Sequence, residues 1–312
     1  MNQKDGVTGK QSDEKTGKKP LSNSVHPSAF SLHPSEPLRL TIVGDVHYST
    51  APPHDSSMLI HRSVLIFKTA LAQIVRQPQP PHLVIQMGDL VDGTNQTLEQ
   101  ARADLECAAA LFDQSGLRWT WIPGNHDVAV CNGCGLLRLL RRPRPYGELV
   151  LGDNVLLLLN SGCERMHGRV DAEQQEWLEQ AIESHAHRRI FVFIHHVLDW
   201  SPDYDLYVED GKALRARLLG ARAVKAVFMA HAHTVRITTT EGLHEIAAGA
   251  LNSWPLMFRQ IEITPDRLRI QSEKVAVPSD IEAEALAAHR AHPKPWDDRI
   301  RKGDLSAELR LR

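Results

Sequence analysis

The sequence predicts an α/β fold in which a largely parallel sheet carries helices on its faces. In the first half of the chain, short apolar runs alternate with segments whose apolar residues recur at helical spacing, the pattern of strand–helix–strand units. Each apolar run also ends in a polar residue of a metal-ligating type. Ligands of open α/β sheets lie beyond the carboxyl ends of the strands, so both observations favour this class.

Three strands and two helices are predicted in the first half. The first helix covers residues 56–76 and stops at the proline-rich segment 77–81, and the second covers 98–114 and ends near Gly116. Strands joined by right-handed helical crossovers lie parallel to each other. The strands are the apolar runs 38–44, 83–87 and 117–122.

The second half adds enough strands for a second sheet. A hairpin over 146–160 turns at 152–154, and a helix over 172–185 follows it. The apolar strands 190–194 and 224–229 flank a helix that contains 214–219. Four later strands predict an antiparallel meander that packs as a second sheet on the first, namely 235–240, 244–248, 258–263 and 268–271.

The chain is expected to divide into three parts. Residues 1–37 are rich in Lys, Ser, Gly and Asp and are predicted to form a disordered tail without a signal peptide. Residues 38–277 form the folded domain, and 278–312 form a C-terminal helical appendage with an Ala-rich helix near 281–290.

Composition excludes several classes of function. The 36 basic and 38 acidic residues leave a net charge of −2, and only 5% of residues are aromatic, which argues against nucleic acid as a partner. No apolar run reaches the roughly 18 residues of a membrane span, so no membrane partner is expected. The 4 cysteines do not make a disulfide framework, which favours the cytoplasm, and the oligomeric state is left open.

Five short blocks place ligand-type side chains at the predicted strand ends. Each block alone is weak evidence, because a chain with 17 histidines and 38 acidic residues contains such pairs by chance. Their order, each after an apolar strand, is specific. The blocks are Asp45-Val46-His47, Gly88-Asp89, Gly124-Asn125-His126-Asp127, His195-His196 and His231-Ala232-His233.

This ordered pattern resembles the calcineurin-like metallophosphoesterase superfamily over roughly residues 38 to 275, and most of all the compact bacterial members related to class III cyclic-nucleotide phosphodiesterases. The resemblance implies a four-layer αββα sandwich of two mixed β-sheets, with a dinuclear metal site at the carboxyl edge of the strands. Two positions depart from the family pattern, since Val197 replaces a frequent proline and Ala230 replaces a glycine.

The resemblance also assigns the ligands of two divalent cations. Asp89 bridges the metals, because a carboxylate has two oxygens and can hold cations about 3.5–4 Å apart. Mixed imidazole and oxygen ligands suit Mn, Fe or Zn. The first metal is expected on Asp45, His47, Asp89 and His233, and the second on Asp89, Asn125, His195 and His231.

The same resemblance suggests the catalytic groups. A hydroxide bridging the metals attacks phosphorus, since a bound metal lowers the pKa of water from about 15.7 toward 7. His126 stabilises the transition state or protonates the leaving oxygen, and Asp127 orients it. Candidate substrate contacts are His196, whose side chain faces away from that of His195, and Tyr48 and Asn252, which follow predicted strand ends.

The expected activity is hydrolysis of a phosphodiester in a small nucleotide-like or glycerol-like substrate. A nucleotide diphosphatase similar to the manganese-dependent ADP-ribose/CDP-alcohol diphosphatases is an alternative, although that branch has Gln where this chain has His47. A phosphomonoesterase is another. A non-catalytic binding module is a different class, and the complete ligand set argues against it.

Two local features have competing interpretations. Cys131 and Cys134 are expected in a plain loop, and a structural zinc would need Cys163 and a fourth ligand. The second feature is a basic cluster, interpreted either as a solvated helix end or as a contact for substrate phosphate or a partner. Its members are Arg138, Arg141, Arg142 and Arg144.

Overall fold

Two six-stranded sheets form the centre of the molecule. The computed structural model describes residues 36–52, 57–162, 167–198, 207–292 and 302–311. The strands of the first sheet are β1 (Leu38–Val43), β2 (Leu83–Gln86), β3 (Trp119–Trp121), β10 (Met257–Ile263), β11 (Arg267–Lys274) and β12 (Ser306–Arg310). Those of the second sheet are β4 (Gly147–Leu151), β5 (Asn154–Leu158), β6 (Arg189–Phe193), β7 (Val224–Met229), β8 (Val235–Thr240) and β9 (Leu243–Ala248).

Helices follow most of the central strands. A 3-10 turn at Ile60–Arg62 leads into α1, and a capping box on Thr97 begins α2. The helices are α1 (Ser63–Val75), α2 (Leu98–Gln114), α3 (Asn125–Val130), α4 (Gly133–Leu140), α5 (Ala172–Ser184), α6 (Gly211–Gly220), α7 (Ser279–Ala291) and α8 (Lys302–Leu305). No helix in the described ranges is both long and apolar enough to cross a membrane.

Both sheets are mixed. The first has the order β12-β11-β10-β1-β2-β3, in which β1, β2 and β3 run parallel and β10 to β12 pair antiparallel. The second has the order β4-β5-β6-β7-β9-β8, with four parallel strands in its centre and an antiparallel strand at each edge. The parallel strands deliver their carboxyl ends to one edge, where the ligand blocks begin.

Apolar side chains fill the three spaces between the four layers of secondary structure. Between the sheets, Ile42 and Ile85 pack with Phe193 and Phe228, whose rings stack 4.8 Å apart. A second layer lies between the first sheet and α1, α2 and α7, and a third between the second sheet and α5 and α6. The order is therefore helix, sheet, sheet, helix, which confirms the predicted αββα sandwich.

The prediction that the last four strands form one antiparallel meander is wrong. All four of its segments are strands, but β8 and β9 complete the second sheet, whereas β10 and β11 lie beside β1 in the first. Leu40 of β1 is paired with Ile261 of β10. Alternating apolar residues indicate a strand and a buried face, but the partner strand lies more than 200 residues away in the sequence and leaves no local signal.

The C-terminal segment is part of the domain and not an appendage. Its predicted helix exists as α7, and Ile281 and Ala285 bury their side chains in the layer under the first sheet. After it, β12 pairs antiparallel with β11. The buried Arg259 donates a hydrogen bond of 2.8 Å to the carbonyl of Asp304. The predicted N-terminal tail lies outside the described residues, apart from its last two positions.

Candidate metal centre

The ligand blocks begin where β1, β2, β3, β6 and β7 end. At four ligand positions the backbone adopts the left-handed conformation, which is uncommon for residues other than glycine and concentrates at functional sites. These positions are His47 (φ 45°), Asp89 (φ 52°), His231 (φ 60°) and His233 (φ 51°). The surrounding packing holds these strained conformations in place, since His47 and Asp89 are each only 1% exposed.

Two glycines allow the loops to approach each other. A Cβ atom at Gly88 would lie 2.4 Å from Nδ1 of His195, and one at Gly124 would lie 2.1 Å from Oδ1 of Asp89. Neither contact is sterically possible without a shift of the loops. The glycines of the Gly-Asp and Gly-Asn-His-Asp blocks are thus required by packing at the site.

One group of ligand-type atoms comes from Asp45, His47 and His233, all within 4.8 Å of one another. The Nε2 atoms of His47 and His233 are 3.2 Å apart, and Nε2 of His233 lies 3.5 Å from Oδ1 of Asp45. Asp45 also accepts the backbone N–H of His231, which ties the end of β1 to the end of β7. This group contains three of the four residues proposed for the first metal.

A second group contains Asp45, Asp89 and His195. Nε2 of His195 lies 3.2 Å from Oδ2 of Asp89, while its Nδ1 is 2.7 Å from the carbonyl of Met87. The carbonyl therefore occupies one ring nitrogen and turns the other toward the carboxylates, as metal-ligating histidines are usually held. Oδ2 of Asp89 is also 3.8 Å from Nε2 of His47, so Asp89 reaches both groups.

Several buried atoms at the site have no hydrogen-bond partner among the described residues. They are Oδ1 of Asn125, Nε2 of His195 and both ring nitrogens of His231. The rings of His195 and His231 lie 4.9 Å apart. A buried polar atom without a partner is costly, and a metal ion would satisfy each of these atoms. The donor set of carboxylate, amide oxygen and imidazole fits two divalent cations.

Charge at the site is balanced between carboxylates and imidazoles. Burial disfavours the charged form of Asp89, but the rings of His195, His126 and His47 outweigh it and hold its pKa well below the usual range. Conversely, burial alone would lower the pKa of His195, yet Asp89 and Asp45 raise it to about 9. Burial and the neighbouring imidazoles hold the pKa of His231 well below its ordinary value.

His126 lies beside both groups and forms a further group of ligand-type atoms with His47 and Asp92. Its backbone N–H donates to Oδ1 of Asp89 at 3.0 Å, and its ring lies edge-on to His47 with centroids 4.7 Å apart. Nδ1 is 2.5 Å from the carbonyl of Asp92, so Nε2 is the ring nitrogen that can exchange a proton with a substrate. Burial opposes protonation, but Asp89 and Asp92 outweigh it and raise the pKa of His126.

Asp127 links two loops of the site, and its orienting role toward His126 stays a prediction. Its Oδ1 accepts the backbone N–H groups of Leu90 (2.9 Å) and Val91 (3.2 Å), and its Oδ2 accepts that of Gly124 (2.9 Å). The carboxylate thus joins the loop after β2 to the loop after β3. Burial and Asp89 raise its pKa to about 7, although the backbone donors favour its charged form. The group that hydrogen-bonds the His126 ring is the Asp92 carbonyl.

Asp92 is the main site residue that the sequence analysis missed. Besides its carbonyl contact with His126, its Oδ1 lies 3.4 Å from Nδ1 of His47. Burial disfavours its charged form, but the contacts with His47 lower its pKa to about 2. The signal was present as a second acidic residue three positions after Asp89. Ser253 was also missed, and its hydroxyl lies 3.4 Å from Nδ1 of His233.

The three predicted substrate contacts are all buried. The ring of Tyr48 is 6% exposed and meets Phe67 edge-on at 6.5 Å, so it packs in the core, and its substrate contact stays a prediction. His196 is fully buried, with Nδ1 2.9 Å from the hydroxyl of Ser161, and lies beside His231 rather than at a surface. Asn252 is 1% exposed, and its substrate contact stays a prediction.

The cysteines and the basic cluster lie apart from the ligand groups. Cys131 is the C-cap of α3 and Cys134 lies in α4, so the expected plain loop is limited to a short link between two helices. Cys131 is a free thiol, and Cys163 lies outside the described residues. Arg138 pairs with Glu106 and Arg141 pairs with Asp113, and both acidic residues lie on α2. These ion pairs favour the interpretation of the basic cluster as a helix end.

The comparisons with known proteins agree with this geometry. A family model described as calcineurin-like phosphoesterase matches residues 38–235. A dimetal phosphatase from Danio rerio superposes with a TM-score of 0.68 at 16% identity, covering 77% of this chain and 98% of that one. No curated protein sequence matches the chain.

Two further solved structures share the fold at lower similarity. Purple acid phosphatase PPD1 from yellow lupin (Lupinus luteus) has a TM-score of 0.54 at 13% identity, covering 79% of this chain and 53% of that one. A putative 5'-nucleotidase from Staphylococcus aureus has a TM-score of 0.52 at 14% identity, covering 82% and 58%. At these identities the likeness demonstrates a common architecture.

Proposed function

Because the chain belongs to the calcineurin-like phosphoesterase family, with 38–235 matched, we propose that it hydrolyses the phosphodiester bond of a small nucleotide-like or glycerol-like molecule. The observation that carries this proposal is the position of Asp89, whose Oδ2 lies between the two ligand groups at 3.2 Å from His195 and 3.8 Å from His47. A bridging carboxylate is what a pair of cations requires.

The proposed ligands are those that the sequence predicted. Bound there, two divalent cations supply a hydroxide nucleophile at neutral pH, hold the phosphate oxygens and neutralise their charge. We propose Mn, Fe or Zn, since imidazole and carboxylate ligands occur together. One cation is assigned to Asp45, His47, Asp89 and His233, and the other to Asp89, Asn125, His195 and His231.

His126 is the proposed proton donor to the leaving oxygen. The Asp92 carbonyl holds Nδ1 and the Asp89 carboxylate holds the backbone N–H, which directs Nε2 away from both. An alkoxide is a poor leaving group and needs this proton, whereas a nitrophenolate does not. A proton donor at this position therefore supports cleavage of natural diesters, in which the leaving group is an alcohol.

The activity is tested with bis-p-nitrophenyl phosphate and p-nitrophenyl phosphate in the presence of Mn, Fe, Zn or Co. Faster turnover of the diester supports the proposal, and faster turnover of the monoester supports the phosphomonoesterase alternative. Turnover of neither substrate with any metal would refute an enzymatic function. A panel of cyclic nucleotides, glycerophosphodiesters and nucleotide diphosphates then identifies the substrate class.

The role of His126 is tested with His126→Ala. The loss is expected to be roughly 10²–10⁴-fold for substrates with alcohol leaving groups and much smaller for nitrophenyl esters, with metal content unchanged. His187→Ala is the matched control, because His187 is exposed in the segment after α5. Equal activity of His126→Ala and the parent on alcohol leaving groups would contradict the role.

The compartment proposed is the cytoplasm. Cys107 and Cys131 are both free thiols, which is consistent with a reducing environment.

A further inference from the structure

A cavity of about 500 Å³ opens between the free edges of the two sheets. On one side lies β3, the edge strand of the first sheet, and on the other β4, the edge strand of the second. The turn from Leu139 to Arg144 and the side chain of Trp177 from α5 complete its walls. None of the proposed metal ligands lines it. Its volume is that of a site for a small organic molecule.

Three buried N–H donors in the cavity wall have no acceptor among the described residues. Two are Nε and Nη1 of Arg142, and the third is the indole Nε1 of Trp121, a residue that is 2% exposed. The remaining nitrogen of Arg142, Nη2, donates to the carbonyl of Trp121 at 2.5 Å. A buried guanidinium without a counter-charge is costly, and an anion would remove that cost.

Arg142 differs in this respect from the two arginines beside it. Arg141 pairs with Asp113, and Arg144 approaches both Tyr146 and Glu173. Burial lowers the pKa of Arg142 to about 10, so the side chain remains a cation at neutral pH. Among these three arginines, the charge of Arg142 is therefore the one available to a ligand.

The rest of the wall is apolar and aromatic. Tyr146 and Trp177 pack with ring centroids 5.0 Å apart, and Leu139, Leu140 and Leu149 add aliphatic surface. Flat rings stack favourably on aromatic side chains, whereas a bare inorganic ion gains nothing from them. The cavity thus combines one cationic corner with a surface suited to a planar ring.

We propose that this cavity binds an organic anion of about mononucleotide size, in which a planar ring system is joined to a phosphate or carboxylate. Arg142 and the Trp121 indole N–H bind the anionic group, and the aromatic wall packs against the ring. The two unpaired Arg142 nitrogens and the Trp121 indole nitrogen are all closed to solvent in this structure, so binding includes a rotation of the Arg142 side chain that opens this corner of the cavity. The site is separate from the proposed hydrolytic centre and does not depend on it.

Isothermal titration of the full chain with AMP, adenosine and inorganic phosphate tests the proposal. AMP combines a ring with an anion and is expected to bind roughly tenfold or more tightly than either probe that lacks one of them. Arg142→Gln should weaken AMP binding by at least about tenfold, whereas Arg138→Gln, which is exposed, pairs with Glu106 and does not line the cavity, should change it less than about threefold. Absence of AMP binding to the parent overturns the proposal.

Two further variants separate this cavity from other sites. Asn125→Ala perturbs the proposed metal centre and should bind AMP as the parent does, so loss of binding there would place AMP at the metals and overturn the proposal. Trp121→Phe keeps an aromatic ring and removes only the indole N–H, which should weaken AMP binding severalfold even if Arg142→Gln fails to fold. Unchanged affinity in Trp121→Phe would overturn the assignment of the anionic group to this corner of the cavity.

Discussion

Replacing Asp127 by asparagine should destabilise the protein by loosening the two loops that carry Asp89 and Asn125. The carboxylate accepts three backbone N–H groups on its two oxygens, two from the loop after β2 and one from the loop after β3. An amide keeps one acceptor oxygen and puts an NH₂ group in the place of the other. At least one of the backbone donors must then face another donor.

The size of the effect follows from these contacts. Losing a hydrogen bond to a charged acceptor costs about 1.5–3 kcal/mol, and leaving a buried donor unsatisfied costs about 1–3 kcal/mol. Since these two costs overlap, we expect Asp127→Asn to lower the free energy of unfolding by roughly 2–4 kcal/mol. For a folded domain of this size, such a change lowers Tm by roughly 4–16 °C.

Thermal and urea unfolding of metal-free protein at pH 8, above the pKa of about 7 of Asp127, provides the measurement. Asp171→Asn is the control, because Asp171 caps α5 at the surface and asparagine is an equally good cap. An unchanged Tm together with slower hydrolysis of alcohol esters would refute the reasoning, since Asp127 would then act through His126.

Three further predictions address the site and the fold. Metal binding near pH 7 should release about one proton per chain, because the pKa of His195 is about 9 before the metal displaces its proton. The affinity for the metal should therefore rise between pH 6 and 9. Titration calorimetry in buffers of different ionisation enthalpy measures the proton release, and zero release would contradict the prediction. Tyr48→Phe should leave kcat and KM within about twofold of the parent values, because the ring packs in the core against Phe67. A large rise in KM would instead support the predicted substrate contact. Ending the chain at Leu305 removes β12 and the buried Leu311, which should lower the free energy of unfolding by roughly 2–4 kcal/mol. A denaturant titration measures this change, and an unchanged midpoint would show that β12 adds no stability.

The places of the proposed metal ligands in the fold were predictable because strand and motif coincide in the sequence. Each block follows an apolar run, so the local pattern specifies both the strand and the edge to which it delivers the ligand. The left-handed backbone at Asp89 and His231 could not be foreseen, since neither residue is a glycine. It follows from how the loops pack together, which only the folded structure reveals.

Residues that act through contacts across the fold were harder to identify. Asp92 was visible in the sequence as an acidic residue, but its contact with His126 joins two loops 34 positions apart. The orientation of Tyr48 could not be predicted, because a residue after a strand end can face either the site or the core, and the ring of Tyr48 packs in the core. The helix α4 was missed because Gly133 and Gly135 have low helix propensity.

The central claim is that two cations share Asp89 and together cleave the phosphoester. Metal content and bis-p-nitrophenyl phosphate turnover, measured on the same preparations of the parent and Asp89→Asn, test it most directly. The account predicts about two metal ions per parent chain, and a loss of metal together with a loss of rate of at least about 10²-fold in Asp89→Asn. An Asp89→Asn protein that retained both metals and the parental rate would contradict it.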